Sequence, residues 1–305
     1  GCSNRCYRSN HNEHVSLPES HTDGLGANYA GGVPEPSQGV DPGAGGGLGR
    51  QHALLLAKRG ALVVVNDLGG SIDGSGTDAS AAQKVVDEIK AAGGEAVADT
   101  NSVSTPEGGA AIVAGAVKAF GRVDIVINNA GISISKSIAE HSLEEWDRLY
   151  DILVKGQFIV SKAGIEVMRK QGFGGDIVNI VSKNAVVAGP NNPGYGSAKA
   201  AQAHLTRLMA AELGADKIRV NTVNPDAVIS DSNIWAGGWA EGRAKAYGVT
   251  VAELPAYYAK RTLLNQIILP DDIANACFAF VGGLLNKSTG NVLNVDGGVA
   301  MAFVR

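Results

Sequence analysis

The chain has 305 residues, of which 45% are hydrophobic and 41 are glycine, and its formal net charge is -4 at pH 7. That length allows a large buried core, and the acidic balance excludes a broadly basic nucleic-acid surface. Apolar runs such as ALVVV are far below the ~20 residues of a membrane span, so we expect no membrane partner. The first thirty residues lack a signal-peptide core and the cysteines number three, which predicts a cytoplasmic protein.

Residues 1–40 show neither helical nor strand periodicity and are rich in Gly, Ser, Asn, Pro and His. This composition predicts an irregular or disordered tail. The tail contains four side chains of the zinc-ligand type, Cys2, Cys6, His11 and His14. The loop between the two pairs is much shorter than in the usual zinc finger, and we therefore predict no metal site.

From residue 41 to residue 305 strand patterns alternate with helix patterns. The apolar strand segments are ALVVVND, EAVAD, VDIVINN, DIVNIVS, IRVNTVNP and NVLNVDGG. Amphipathic segments separate them, including a long helix near 142–171 and later helices near 236–262 and 271–284. Continuous apolar strands between helices predict an α/β domain with a single doubly wound parallel sheet and helices on both faces.

The segment GAGGGLG places Gly43, Gly47, Leu48 and Gly49 at the start of the first helix. Glycines there allow a tight turn and the close approach of a pyrophosphate to free backbone N–H groups. Asp67 ends the next strand, eighteen residues past Gly49, near where an acidic residue meets adenosine ribose hydroxyls. Together these features favour a dinucleotide site over a purely structural turn.

The segment before the glycine turn, GGVPEPSQGVDP, carries prolines and charges where a central strand should lie. Either its neighbours rescue a poor strand or the upstream sequence is not native to this fold. A frameshift would explain the second case, because Gln38–Asp41 encoded as CAA GGT GTC GAT begins Lys-Val-Ser-Ile when read one base later. Sequencing the gene tests this hypothesis.

Three polar residues later in the chain have a distinctive spacing. Ser182 lies thirteen residues before Tyr195, and Lys199 lies four residues after it. On a helix, residues four apart share one face, so Tyr195 and Lys199 can act as one unit. With NNAG at 128–131 and the glycine turn, these residues resemble the short-chain dehydrogenase/reductase family over roughly residues 43–305.

The resemblance implies a Rossmann-type fold, an NAD cofactor with NADP less favoured, and catalysis by three residues. Tyr195 would be the acid/base, Lys199 would lower its pKa and bind the nicotinamide ribose, and Ser182 would orient the substrate oxygen. A phenol has an ordinary pKa of ~10, and a nearby ammonium group favours the phenolate. The implied cofactor contacts are Gly43, Gly47, Leu48, Gly49, Asp67, Asn101, Ser102, Asn129, Ala130, Gly131, Tyr195, Lys199, Pro225, Val228 and Ser230.

The chain departs from the family pattern at two positions. Leu153 stands where the family usually has an asparagine that holds a water in a proton relay, and leucine cannot hydrogen-bond. Asp226 replaces the glycine of a common Pro-Gly pair. The first departure leaves open another route for the proton, slower turnover, or a binding protein that has lost catalysis.

Two sub-family resemblances disagree about the substrate. The segment VVVNDLGGSIDGSGTDASAAQKVVDEI looks like the hydroxyacyl-CoA dehydrogenase type of multifunctional fatty-acid oxidation enzymes. From DILVKGQF to NVDGGVAMAF the chain looks like the dehydrogenase half of bacterial aldolase/short-chain dehydrogenase fusions, a group that also carries leucine at the relay position. The second resemblance weighs more, because residues after the middle of the sheet build most of the substrate cleft.

The predicted substrate residues are Ser182, Lys183, Asn184 and Tyr195, beneath a lid near 228–262. The lid supplies the polar and aromatic residues Trp235, Trp239, Arg243, Tyr257 and Arg261. We therefore predict an NAD-dependent oxidoreductase of a small polar hydroxy compound such as a sugar, polyol or hydroxyaldehyde. The alternative enzyme is a 3-hydroxyacyl-thioester dehydrogenase or 3-oxoacyl reductase. The alanine-rich faces of 142–171 and 195–213 suit packing into a homo-tetramer or dimer.

Overall fold

The computed structural model describes residues 37–69, 80–229 and 239–303. Within these ranges the chain forms one parallel sheet of seven strands. The strands are β1 (Gln38–Pro42), β2 (Leu62–Asn66), β3 (Glu95–Asp99), β4 (Ile125–Asn128), β5 (Gly175–Ile180), β6 (Ile218–Pro225) and β7 (Val292–Val295). Their order across the sheet is β3-β2-β1-β4-β5-β6-β7, so the direction of winding reverses between β1 and β4.

Nine helices belong to the same described ranges. They are α1 (Gly47–Lys58), α2 (Ser80–Ala91), α3 (Pro106–Phe120), α4 (Leu143–Tyr150), α5 (Gly156–Gln171), α6 (Pro193–Leu213), α7 (Trp239–Tyr247), α8 (Leu254–Ala259) and α9 (Pro270–Val281). The long helix expected near 142–171 begins at a capping box formed by Ser142 and Glu145 and ends at Gly172, which has φ +80°. A π-helical turn, Asp151–Lys155, joins its two parts.

The helices bury apolar side chains on both faces of the sheet. One core contains Leu56 of α1 and Phe280 of α9, and the other contains Ile112 of α3 and Leu213 of α6. Side chains of β2 alternate between the two cores, since Val63 and Val65 belong to the first and Val64 to the second. This arrangement confirms the predicted doubly wound sheet.

The segment that looked too polar for a central strand does form β1. Gln38–Pro42 pairs in parallel with both β2 and β4. The sheet therefore starts three residues before the domain boundary expected at residue 41, because backbone pairing on both sides outweighs the poor strand propensity. Residues 1–36, which include the cysteine–histidine string, lie outside the described residues. The frameshift remains a hypothesis.

Burial of this strand places charged groups in the core. The carboxyl group of Asp41 and the imidazole of His52 are at most 1% exposed, and 3.6 Å separates Asp41 Oδ2 from His52 Nδ1. That distance exceeds a hydrogen bond, and both oxygens and both ring nitrogens lack a hydrogen-bond partner. Cys277 of α9 is a buried free thiol, and its sulfur raises the pKa of the His52 ring.

Candidate active site

A cavity of about 770 Å³ opens at the carboxyl ends of the strands. The segments that line it are the turn before α1, the residues that follow β2 to β6, the start of α6, and parts of α7 and α8. It lies across the point where the strand order reverses between β1 and β4. Doubly wound sheets bind ligands at this kind of crevice.

The glycine turn forms one wall of the cavity. The N–H groups of Gly43 and Ala44 donate to Asn66 O, and Asn129 Nδ2 donates to Gly43 O at 2.9 Å. A Cβ atom on Gly49 would lie 2.3 Å from Gly43 O and 2.6 Å from Asn129 Nδ2. Only glycine fits there, so the turn is packed tightly enough to present its backbone to a ligand.

Asp67 connects the glycine turn to the end of β2. One carboxylate oxygen accepts from Gly45 N at 2.9 Å, and the other accepts from Gly69 N at 2.7 Å. Asp67 also lines the cavity, as do Asn101 and Ser102 after β3. The expected ribose and adenine contacts therefore lie along the same wall.

Ser182, Tyr195 and Lys199 come together at the other end of the cavity. Ser182 follows β5, whereas Tyr195 and Lys199 lie one turn apart on α6. The Ser182 side chain lies close enough to Tyr195 to lower the pKa of its hydroxyl. Lys199 Nζ donates to Ile180 O at 2.9 Å and lies 5.6 Å from the centre of the Tyr195 ring. The strand end and the helix start thus assemble the expected constellation.

The protein groups alone do not lower the pKa of Tyr195. Burial raises this pKa to about 12, the Ser182 side chain lowers it, and the negative charge of Asp226 raises it. Burial lowers the pKa of Lys199 to about 7. The lowering of the tyrosine pKa that the family resemblance implies is therefore absent here, and formation of the phenolate requires further positive charge in the cavity.

Leu153 fills the position of the expected relay asparagine with an apolar side chain. It is fully buried, and a Cβ atom on Gly131 would lie 3.2 Å from Leu153 Cδ2. Gln202 Nε2 donates to Leu153 O at 2.7 Å within the π-helical turn. The Leu153 side chain therefore packs inside the protein, and its carbonyl oxygen accepts a hydrogen bond from Gln202.

Lys183 does not point freely into the cavity. Its ammonium group lies 3.1 Å from Asp226 Oδ1, and both side chains are buried. Lys183, predicted as a substrate residue, does line the cavity, and the strand ends of β5 and β6 bring an aspartate to it. Asp226 is the site residue that sequence reasoning missed, although its departure from the usual glycine was the available signal.

The helices of the lid contribute a further part of the cavity wall. Arg243 and Tyr247 of α7, Tyr258 of α8 and the following Arg261 all line it. Arg261 lies over the Tyr258 ring, 4.8 Å from its centre. Tyr257, expected at the cleft, instead stacks on Tyr247 with ring centres 4.6 Å apart.

The cavity brings together nearly every residue implied as a cofactor or substrate contact. Most of those predicted positions line it, namely Gly43, Gly47, Leu48, Asp67, Asn101, Ser102, Asn129, Ala130, Gly131, Ser182, Lys183, Asn184, Tyr195, Lys199, Pro225 and Val228. Gly49 lies behind this wall as its packing residue. Ser230, Trp235 and the side chain of Trp239 lie outside the described residues.

The described ranges contain neither a cluster of metal-ligand side chains nor a helix that could span a membrane. There, no three His, Cys, Asp or Glu side chains are grouped so that they could hold a metal ion. In the same ranges, no helix has both the length and the apolar character that crossing a membrane requires.

Comparison with known proteins identifies the family. The sequence model described as short chain dehydrogenase matches residues 42–236. The protein described as uncharacterized oxidoreductase YuxG of Bacillus subtilis is 41% identical over 265 residues, which are 86% of this chain and 37% of that protein. The peroxisomal multifunctional enzyme type 2 of Drosophila melanogaster is 44% identical over 188 residues, 62% of this chain and 31% of that protein. The chain thus spans about a third of the length of these relatives.

A solved structure shares the fold over nearly its whole length. It is described as 7α-hydroxysteroid dehydrogenase complexed with NADH and 7-oxo glycochenodeoxycholic acid, and it is 32% identical to this chain. The superposition has a TM-score of 0.73 and covers 86% of this chain and 94% of that one. The family match covers more than half of the chain. This chain therefore belongs to the short chain dehydrogenase family and is an oxidoreductase enzyme.

Proposed function

We propose that the chain is an NAD-dependent oxidoreductase that interconverts an alcohol and its carbonyl on a small polar hydroxy compound, such as a sugar, polyol or hydroxyaldehyde. One observation carries this proposal. A single cavity has the glycine turn and Asp67 at one end and Ser182, Tyr195 and Lys199 at the other. A dinucleotide along the first wall would bring its reactive ring toward the acid/base group.

The residues present fit a dinucleotide. The absence of a side chain at Gly49 lets the turn close, and the backbone of residues 43–49 leads into the N-terminus of α1, where anions bind. The Asp67 carboxylate accepts two backbone N–H groups and retains acceptor capacity for ribose hydroxyls. The same negative charge repels a 2′-phosphate, which supports NAD over NADP.

The chemistry of the chain follows from three side chains. NAD, when bound, supplies the hydride acceptor for oxidation, and NADH supplies the donor for reduction. Ser182 would donate a hydrogen bond to the substrate oxygen, and Tyr195 would take the hydroxyl proton as a phenolate or return it as a phenol. Burial raises the Tyr195 pKa to about 12 and lowers the Lys199 pKa to about 7, so the phenolate would need the positive charge of a bound nicotinamide in addition to protonated Lys199.

Polar groups around the reacting end support a polar substrate. The Lys183–Asp226 pair, Asn184 and the lid arginines Arg243 and Arg261 all line the cavity. The similarity to YuxG extends over 86% of the chain and so includes most of the lid segment. The likeness of the C-terminal half to the dehydrogenase part of aldolase/short-chain dehydrogenase fusions is a proposal that rests on the sequence resemblance alone.

The second candidate is a 3-hydroxyacyl-thioester dehydrogenase or 3-oxoacyl reductase. The similarity to the peroxisomal multifunctional enzyme type 2, at 44% identity over 188 residues, favours it. The charged lid and floor oppose it, because a long acyl chain gains little from them.

The test measures turnover by the purified protein with NAD or NADP. Polyols, sugars and hydroxyaldehydes are compared with 3-hydroxyacyl thioesters, for wild type and for Tyr195→Phe. We expect higher kcat/KM on the polar panel and a loss of activity of more than a hundredfold in Tyr195→Phe, with NADH binding by fluorescence nearly unchanged. Tyr150→Phe is the matched control. Higher efficiency on thioesters favours the second candidate, and cofactor binding without turnover on either panel would contradict both.

Two further proposals concern the assembly and its location. Phe158 on α5 is 51% exposed and Leu208 on α6 is 55% exposed, which supports packing of these two helices against other copies in a dimer or tetramer. Sedimentation of wild type and Phe158→Lys tests the assembly. A cytoplasmic location is supported by the odd number of cysteines, which is typical of a reducing compartment.

A further inference from the structure

The Lys183–Asp226 ion pair is built into the floor of the cavity beside the reacting groups. The side chains of its two members are 9% and 8% exposed, and 3.1 Å separates Lys183 Nζ from Asp226 Oδ1. Lys183 directly follows Ser182, and both pair members line the cavity. A buried ion pair usually costs stability because both charges lose water. Its position at the site therefore calls for a role other than stability.

The sheet register explains why these residues meet. Ile180, the last residue of β5, is paired with Val223 of β6, and Lys183 and Asp226 follow the ends of these two adjacent strands. Asp226 N donates to Val295 O, which fixes the aspartate backbone to β7. Ala227 follows with φ +42°, a left-handed conformation that is unfavourable for alanine. The backbone is thus held so that the carboxylate reaches Lys183.

The pair has no net charge but offers both kinds of hydrogen-bond partner. The ammonium group of Lys183 has three donors, of which the contact with Asp226 uses one, and the second carboxylate oxygen of Asp226 is an acceptor. A hydroxyl group donates one hydrogen bond and accepts others, so it can engage both members at once. A carboxylate or phosphate would gain from Lys183 but would face the negative charge of Asp226.

The pair is also close to the reacting oxygen. Lys183 directly follows Ser182, both line the cavity with Tyr195, and the negative charge of Asp226 raises the Tyr195 pKa. Other charges around Asp226 are Arg261, which lowers its pKa, and Asp296, which raises it. A substrate oxygen held by Ser182 and Tyr195 would therefore lie in the cavity that the ion pair also lines.

We propose that the Lys183–Asp226 pair binds a second hydroxyl group of the substrate, carried by the carbon adjacent to the one that is oxidised or reduced. This inference rests on the proposed function. The substrate class is then a vicinal diol and the corresponding α-hydroxy carbonyl compound. The pair is a specificity-determining element of the site, and an alcohol that lacks the second hydroxyl leaves two buried polar groups without the partner that the substrate provides. Sites of this kind discriminate strongly against the analogue without the hydroxyl.

The test compares substrates that differ only in that hydroxyl. The probes are butane-2,3-diol against butan-2-ol and propane-1,2-diol against propan-1-ol, with NAD and the full chain. In wild type, kcat/KM for the diol should exceed that for the mono-alcohol by on the order of tenfold to a hundredfold. Lys183→Met and Asp226→Asn should each bring this ratio toward one, whereas the exposed Lys170→Met should leave it unchanged.

A double variant controls for misfolding of the single variants. Replacing one member leaves a buried charge unpaired, but Lys183→Met with Asp226→Leu removes both charges and retains a neutral floor. This variant should also lose the preference for diols. In Asp226→Asn the pH profile of kcat/KM should move to lower pH, because the charge that raises the Tyr195 pKa is gone. The loss of the diol preference, and not this shift, distinguishes a substrate-binding pair from a purely structural one.

The outcomes separate this inference from the proposed function. If wild type oxidises mono-alcohols as efficiently as diols, or if the diol preference survives in all three pair variants, the inference is overturned while the proposed function stands. If no alcohol is oxidised with either nicotinamide cofactor, the proposed function is overturned, and this inference with it.

Discussion

Replacing Asp41 by isoleucine and His52 by phenylalanine together should stabilise the protein, whereas either replacement alone should destabilise it. The two groups are buried, their closest atoms are 3.6 Å apart, and their polar atoms lack hydrogen bonds. Burial raises the pKa of Asp41 because its charged form loses water, and the 3.6 Å separation from His52 gives only part of the attraction that good geometry provides. The single changes leave one buried charged group without its partner.

The magnitudes follow from this geometry. Removing one partner of a buried pair costs about 3–5 kcal/mol, and replacing both by apolar groups gains about 1–4 kcal/mol. Isoleucine is larger than aspartate, so overpacking between β1 and α1 reduces this gain in stability by at least about 1 kcal/mol. With a shift of roughly 2–4 °C per kcal/mol, the melting temperature should rise by several degrees in the double variant. Each single variant should lose roughly 6–20 °C.

The assay is thermal and urea unfolding of the four proteins, followed by circular dichroism. Burial lowers the pKa of His52, but the Cys277 sulfur and the Asp41 carboxylate outweigh it and raise the pKa to about 10. Because this folded-state pKa lies above the unfolded value of ~6.5, the stability from His52 is fully present below about pH 6.5 and is lost as pH rises through about 10. The double variant should lack this loss. Burial raises the pKa of Asp41, which opposes folding above the unfolded value of ~3.9, and net stabilisation by the double change requires this Asp41 cost to be the larger of the two. Additive destabilisation by the two changes would refute the reasoning.

Three further predictions concern the cofactor end. Asp67→Ala should narrow the preference for NAD over NADP, measured as the ratio of kcat/KM values, because it removes the charge that repels a 2′-phosphate; equal use of both cofactors by wild type would contradict this. Gly49→Ala should weaken NADH binding at least tenfold in a fluorescence titration, since its Cβ would lie 2.3 Å from Gly43 O; Gly214→Ala, with open space around it, is the control. Lys199→Ala should impair both turnover and NADH binding, and unchanged binding would exclude its ribose contact.

Much of the site could be predicted because its geometry is local. Tyr195 and Lys199 share a face since the α-helix repeats every 3.6 residues. The strand and helix periodicities likewise predicted a doubly wound sheet, because strands buried on both faces are each recognisable as a continuous apolar run. These features need only the hydrogen bonds and side chains of neighbouring residues.

What the tertiary structure alone decided are the contacts between segments far apart in the chain. Lys183 meets Asp226 because β5 and β6 are adjacent in a particular register, and the Leu153 carbonyl meets Gln202 because α6 packs beside the π-helical turn. The segment Gln38–Pro42 becomes a central strand because β2 and β4 satisfy its backbone on both sides, even at the cost of burying Asp41. No local pattern encodes such partners, since register and packing are set by the free energy of the whole core.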